Sequence, residues 1–299
     1  MSNFHGAFPL NAGNDIPAVG LGTWQSEPEK VASAVKHAVA VGYRHIDCAA
    51  IYGQESVVGQ ALSEVDVPRQ ALHITSKLWN TKHRPEDVAG ALDQTLKDLR
   101  LGYLDLYLMH WPCAFQHGGE LFPTDPATGE VIKEDVDFCD TWRAMEDLLN
   151  SGKVRAIGVA NFSIKNLRKL LATARVVPAV NQVELHPYMP QNELLAFCRQ
   201  QGIHVTAYSP LGSSGAPILE EPVIKAVAAK HQCSPAQVLL NWATSRGTSV
   251  LPKSVTLSRI EENFKEVALD ENDLNAIAQI STRQRYCYAP WMDGLFTDA

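Results

Sequence analysis

Eight short apolar runs alternate with segments of helical period along this chain, and no Pro/Gly/Ser-rich linker divides them into groups. The runs occupy 19–22, 45–47, 73–77, 104–110, 154–159, 179–184, 204–208 and 249–251. Helices are expected at 28–41, 54–62, 85–99, 141–150, 164–172, 192–201, 223–231, 235–245 and 259–267. In the first of these Val31, Val35, Ala38 and Val39 fall on one face, as a helix packed on a sheet requires. Strands that alternate with helices run parallel, and a parallel sheet either closes into a barrel or stays open between two helical layers. Periodicity admits both. In either form the loops that follow the strands carry the chemistry.

Those strand ends hold a set of polar groups suited to proton transfer. The stretch 42–59 reads GYRHIDCAAIYGQESVVG, with Asp47 closing a strand and Tyr52 on the connection to a helix. Lys77 ends the run at 73–77, and His110 ends the run at 104–110, followed by Trp111 and Pro112. A free tyrosine, with a pKa of about 10, gives up its proton only if its anion is stabilised. An ammonium about 4 Å away favours that anion by roughly 4 kcal/mol at an effective dielectric of about 20. Lys77 is therefore expected to pull the Tyr52 pKa down, before desolvation is counted, and Asp47 to balance the buried lysine.

Through these residues the chain resembles the aldo-keto reductases. The family's first signature stands as GYRHIDCAAIYGQESVVG, its second as LDLYLMHWP and its third as VLPKS, in order and across nearly the whole chain. The resemblance implies a closed (β/α)8 TIM barrel in a single domain, residues 1–299. It also implies that Tyr52 is the general acid, that Lys77 and Asp47 tune it, and that His110 orients the substrate carbonyl. Many members have Asn-Glu where this chain has Gln54-Glu55, and the Gln54 side chain is expected to start a helix and not to face substrate. Ahead of the barrel, Phe8-Pro9-Leu10 and Asp15-Ile16-Pro17 flank the turn sequence Asn11-Ala12-Gly13-Asn14, a hairpin able to plug one barrel end.

No Gly-x-Gly-x-x-Gly follows a strand; Gly20-Leu21-Gly22 lacks the third glycine, which disfavours a dinucleotide-binding sheet. The resemblance implies instead a nicotinamide cofactor extended across the barrel mouth. Gly22, Thr23, Trp24 and Asp47 would lie beside it, with Tyr208 presenting its ring to the nicotinamide and Asn161 and Gln182 pairing with the carboxamide. Ala160 stands where members commonly have serine, so one hydroxyl contact is missing. Ser209, Leu211 and Ser213 match the loop along the pyrophosphate, and Glu262 and Asn263 match residues facing the adenine. Lys253 and Ser254 close the third signature and Val255 and Arg259 follow it, where two cations and a hydroxyl suit the 2′-phosphate of NADPH, leaving NADH as a minor activity. The loop after Tyr208 looks shorter than in animal aldose reductases, so easier cofactor release is expected.

Trp24, Trp79 and Trp111 sit on loops after three strands, and by resemblance they wall an apolar pocket around Tyr52 and His110, with Phe122 added by the long segment 112–140. A segment of that length without periodicity is expected to be a functional loop. The tail at 283–291 is aromatic and non-periodic, and the resemblance implies that it closes over the pocket, with Cys287 expected to be a buried inert thiol. The expected activity is NADPH-dependent reduction of aldehydes such as glyceraldehyde, aldoses, and aliphatic and aromatic aldehydes. Two rivals are a polyol (glycerol) NADP dehydrogenase working in the oxidative direction and a non-catalytic NADPH sensor. A barrel isomerase or lyase is weaker, because no phosphate loop or metal carboxylates can be located.

A net charge of −7 and a pI near 5.8 argue against non-specific nucleic-acid binding. No run approaches the roughly 18 apolar residues that span a membrane, and no signal-peptide core is seen, so a cytoplasmic enzyme is expected. The six cysteines form no Cys-x-x-Cys pair, so neither disulfides nor a metal site are expected. His45 and His73 are expected to be core residues. A monomer with no obligate protein partner, acting on a small carbonyl compound, completes the expectation.

Overall fold

The computed structural model describes residues 4–24, 27–213 and 215–296. It opens with an antiparallel hairpin of β1 (Ala7–Pro9) and β2 (Asp15–Pro17). The first half of the barrel follows as β3 (Leu21–Gly22), α1 (Pro28–Val41), β4 (His45–Asp47), α2 (Glu55–Ser63), β5 (His73–Leu78), α3 (Pro85–Leu99) and β6 (Leu106–Met109). A small hairpin, β7 (Ala114–Phe115) and β8 (Lys133–Glu134), then precedes α4 (Phe138–Leu148). The second half runs β9 (Ile157–Ala160), α5 (Ile164–Leu171), β10 (Val180–Glu184), α6 (Asn192–Gln200), β11 (His204–Tyr208), α7 (Pro222–Lys230), α8 (Pro235–Ser245), β12 (Ser249–Leu251), α9 (Leu257–Asn263) and α10 (Glu271–Ala278).

Eight strands form one parallel sheet in the order β12-β11-β10-β9-β6-β5-β4-β3. Parallel bridges from Val19 to Val250 and from Gly22 to Lys253 join the two outer strands, so the sheet closes into a (β/α)8 barrel. Gly20 makes that seam tight: a Cβ there would stand 2.6 Å from His45 Nδ1 and 2.7 Å from Leu251 Cδ2. The amino-terminal hairpin plugs the barrel, because its Leu10 and Ile16 pack in one buried cluster with Leu106, Leu108, Ala156 and Val180. Phe8 stacks on His204 at 5.0 Å, and His73 Nδ1 lies 3.1 Å from the Asp15 carbonyl. His45 and His73 are buried, as expected, with His45 Nε2 3.0 Å from Thr75 Oγ1.

Several boundaries differ from the sequence reading, each for a local reason. The helix placed at 141–150 begins at Phe138, because the Asp137 side chain accepts from the Cys139 amide at 2.9 Å and caps it. The helix placed at 259–267 runs Leu257–Asn263, so Arg259 lies inside its first turn. A further helix, α10, was missed; its start is marked by a reciprocal capping box between Asp270 and Asp273. The segment 112–140 is not wholly irregular, since β7 and β8 pair within it. All six cysteines are free thiols. No described helix is long and apolar enough to cross a membrane, and no group of three or more His, Cys, Asp and Glu suited to a metal occurs among the described residues.

Candidate active site

Burial and charge meet at the carboxyl ends of β4 and β5. Lys77 lies within β5 at 1% exposure, and its ammonium has three acceptors in reach: Asp47 Oδ1 at 2.5 Å, the Cys48 carbonyl at 2.8 Å and the Tyr52 hydroxyl at 3.4 Å. Three acceptors match the three donors of an ammonium, which is what allows so buried a lysine to stay charged. Burial opposes its charge, but Asp47 and Tyr52 outweigh burial and raise its pKa. Tyr52 is presented by a single 3-10 turn, Ala50–Tyr52, ended by Gly53 in the left-handed conformation at φ 66°. Gln54 sits buried at the helix N-cap and α2 starts at Glu55.

Lys77 pulls the Tyr52 pKa down as expected, but the desolvation left out of that expectation outweighs it. Burial pushes the Tyr52 hydroxyl up to about 12, and the Lys77 charge, although it pulls down, does not overcome that. Desolvation of the phenolate is the largest effect; the Lys77 charge favours that anion, and Asp47 offsets only part of the Lys77 pull. Tyr52 thus keeps its proton throughout the neutral range. His110 lies just past β6, 8% exposed, with its ring centroid 6.1 Å from that of Tyr52 and the planes at 74°. Burial, then the charges of Lys77 and His83, hold its pKa well below the usual imidazole value, so it is a neutral ring. Its Nδ1 is buried without a partner. A bare lone pair is tolerated there better than a bare N–H, which places the proton on Nε2.

A second group of side chains is linked to the first. The Tyr208 hydroxyl donates to Asn161 Oδ1 at 2.8 Å, and Asn161 Nδ2 donates to the His110 carbonyl at 2.9 Å. Asn161 and Ser209, each just past a strand, adopt left-handed backbone at φ 63° and φ 47°, strain of the kind that gathers at functional sites. Gln182 Nε2 donates to Asp47 Oδ2 at 2.7 Å. Asn161 and Gln182, whose amides were expected to pair with a cofactor carboxamide, both bond within the protein. Thr23 Oγ1 donates to the Asp47 carbonyl at 2.8 Å, and Gly22 lies opposite Asp47 in the sheet and bridges Lys253. Lys253 and Arg259 are exposed, Val255 and Glu262 are half-buried, and Asn263 is buried at 4%. Ser254 Oγ accepts from the Thr256 amide at 3.1 Å. Leu211 is half-buried and Ser213 exposed on the loop after β11.

Aromatic rings surround Tyr52 and His110. Trp24 approaches Tyr52 at 4.8 Å between centroids, and Trp79 approaches His110 at 5.3 Å and Phe122 at 5.2 Å. Trp111 stacks beside His110 at 6.2 Å. The tryptophans do not share one state, although the sequence reading treated all three as loop residues outside the packed interior. Trp79 and Trp111 are buried in a satellite cluster with Phe115 and Met292, whereas Trp24 and Phe122 are 44% and 43% exposed.

The Aldo/keto reductase family profile matches residues 18–282. The chain belongs to the aldo-keto reductase family. It is 53% identical over 269 residues to pig aldo-keto reductase family 1 member A1, covering 86% of this chain and 82% of that protein. The human protein of the same name is 49% identical over 292 residues, with 93% and 90% covered. Among solved structures, the aldose reductase of Schistosoma japonicum superposes with a TM-score of 0.90 at 42% identity, covering 93% of each chain. This aldo-keto reductase is accordingly an oxidoreductase of carbonyl compounds.

One part of the aldo-keto reductase site was not found from sequence, the anchor that holds the tail. Glu184, fully buried at the end of β10, accepts from the amides of Tyr286 and Cys287 at 2.7 and 3.0 Å and lies 2.9 Å from His186 Nε2. This carboxylate ties the tail to the barrel. The tied tail then brings Trp291 to within 4.9 Å of Trp111 and 5.1 Å of Phe115. In the sequence the only signal was an acidic residue ending the apolar run at 179–184, two positions beyond Gln182.

Proposed function

We propose that this aldo-keto reductase uses NADPH to reduce aldehydes, including glyceraldehyde, other aldoses, and aliphatic and aromatic aldehydes, to primary alcohols. The observation that carries this reading is the Tyr52 hydroxyl, held protonated 3.4 Å from the Lys77 ammonium and facing a neutral His110. The residues at the mouth fit a nicotinamide. Tyr208 offers an aromatic face, and Asn161 and Gln182 retain amide capacity beyond their protein bonds, since each carboxamide has two donors and two lone pairs. A nicotinamide bound there supplies the hydride.

The protein's own part is to hold and protonate the carbonyl oxygen. His110 Nε2–H and the Tyr52 hydroxyl donate to that oxygen, and their hold strengthens as charge develops on it. Tyr52 then yields its proton, and Lys77 steadies the phenolate left behind. A phenol near 12 is a far stronger acid than the alcohol being formed, so transfer runs downhill. The buried aromatic wall of Trp79 and Trp111, with Trp24 and Phe122 at its rim, suits aldehydes with little polar readout. Lys253 and Arg259 are the cations we assign to the 2′-phosphate, with Glu262 and Asn263 toward the adenine. The enzyme is proposed to act as a monomeric single-domain barrel in the cytoplasm, on small carbonyl compounds and without an obligate partner.

Absorbance of reduced nicotinamide tests this, followed with an aldehyde panel and with NADPH or NADH. NADPH-dependent consumption that weakens about tenfold or more in KM on Lys253→Ala with Arg259→Ala, while NADH use is little changed, is the expected result. Cofactor binding without turnover would replace the reading with a sensor.

A further inference from the structure

The hydrogen bond from Gln182 to Asp47 crosses the barrel. In the closed order of eight strands β10 and β4 are separated by three strands in either direction, so the two residues approach from opposite walls. Gln182 is 3% exposed and Asp47 is 3% exposed, and their contact is 2.7 Å. Only an N–H can sit that close to a carboxylate oxygen, so the amide orientation is set by the contact itself. Asp47 therefore has one oxygen committed to Lys77 and the other to Gln182.

This matters because a carboxylate with one tethered oxygen can turn about its side-chain bond, while one tethered at both cannot. The Lys77 ammonium is aimed by Asp47 Oδ1 and the Cys48 carbonyl, and its reach to Tyr52 is already long at 3.4 Å. A small rotation of Asp47 would draw the ammonium away from the phenol. We infer that Gln182 is a positioning residue for the proton donor: it anchors Asp47 from the opposite barrel wall and thereby keeps Lys77 within reach of Tyr52. The inference rests on the proposed reductase reading for its kinetic consequence. Gln182 keeps its second N–H and its carbonyl oxygen for a cofactor, so one side chain joins the cofactor's seat to the acid that works opposite it.

A double-mutant cycle between Gln182→Met and Asp47→Asn, read in two ways, tests this. The first reading is the stability of the cofactor-free protein in urea. The second is the single-turnover hydride-transfer rate at saturating NADPH and aldehyde, with KM and the NADPH Kd measured beside it. Gln182→Asn, which keeps an amide but retracts it, guards against a methionine variant that folds poorly. We expect Gln182→Met to slow hydride transfer by about tenfold with the aldehyde KM unchanged, and to do so far less in the Asp47→Asn background. Stability losses should also be smaller together than their sum. Additive stability losses would overturn the inference, as would a Gln182→Met effect confined to a weaker NADPH Kd. An inactive wild type with non-additive stabilities would remove the reductase reading while upholding the hold of Gln182 on Asp47.

Discussion

Lys77 is bonded to Asp47 at 2.5 Å with both side chains almost fully buried, at 1% and 4% exposure. The pair gains little over an apolar replacement, because desolvation offsets most of the attraction, but neither partner can be removed alone. Lys77→Met would leave a buried carboxylate uncompensated. Urea unfolding should show a loss of about 3–5 kcal/mol, and pairing the change with Asp47→Leu should restore much of it. A single variant as stable as wild type would mean that the pair is not buried as described.

Gly59 tests the packing beneath the site. It lies in α2, where alanine is ordinarily better by about 1 kcal/mol, yet a Cβ there would stand 2.5 Å from the Leu99 carbonyl carbon and 2.6 Å from the Asp98 oxygen. Gly59→Ala should therefore destabilise, by about 1–3 kcal/mol, reversing the helix-propensity sign. Thermal unfolding decides it; a higher Tm would refute the close crossing of α2 and α3.

Stability should fall with acid in a defined window. Burial lowers His73 to about 4 and His204 and His83 to about 3, and lowers His45 and His110 well below 6.5. Below pH 6.5 the unfolded chain binds protons that the folded one refuses, so each such histidine costs about 1.4 kcal/mol per pH unit until its folded pKa is reached. Glu55 opposes this: burial raises it to about 7, so it favours the folded state below its unfolded pKa and loses that contribution as pH rises to 7. The histidines outnumber it. Denaturant midpoints should decline from pH 6.5 to 4.5, and Glu55→Gln should make the decline steeper. A flat profile would contradict the buried histidines.

How much of this was legible beforehand depended on the distance over which each feature is decided. Asp47, Lys77 and His110 were legible because alternation puts strand ends on one rim, and the signatures named them. The net Tyr52 direction was not, because it depends on how far the folded barrel desolvates the hydroxyl, which no local pattern in the sequence reports. The bond of Gln182 to Asp47 needed barrel closure, which periodicity left undecided. The hold of Glu184 on Tyr286 and Cys287 joins positions about a hundred residues apart and has no local pattern at all. The helix α10 was overlooked although Asp270 and Asp273 did announce its cap.

The tail should come loose when its anchor is removed. Glu184→Ala deletes the acceptor for two tail amides, and trypsin should then cut at Arg283 or Arg285 while the barrel stays intact. With Trp291 withdrawn from Trp111, KM for aromatic aldehydes should rise about fivefold or more with little change in NADPH binding. A variant as resistant to trypsin as wild type would show the tail to be held elsewhere.

Tyr52 is the proposed proton donor, and Tyr52→Phe takes away the proton it would give. The change removes one oxygen from a half-buried ring and leaves Lys77 paired to Asp47. Hydride transfer from NADPH to an aldehyde should fall about a hundredfold or more, with NADPH bound as tightly as before. A Tyr52→Phe enzyme that turns over within a few-fold of wild type would contradict the account and move the proton donor to another group.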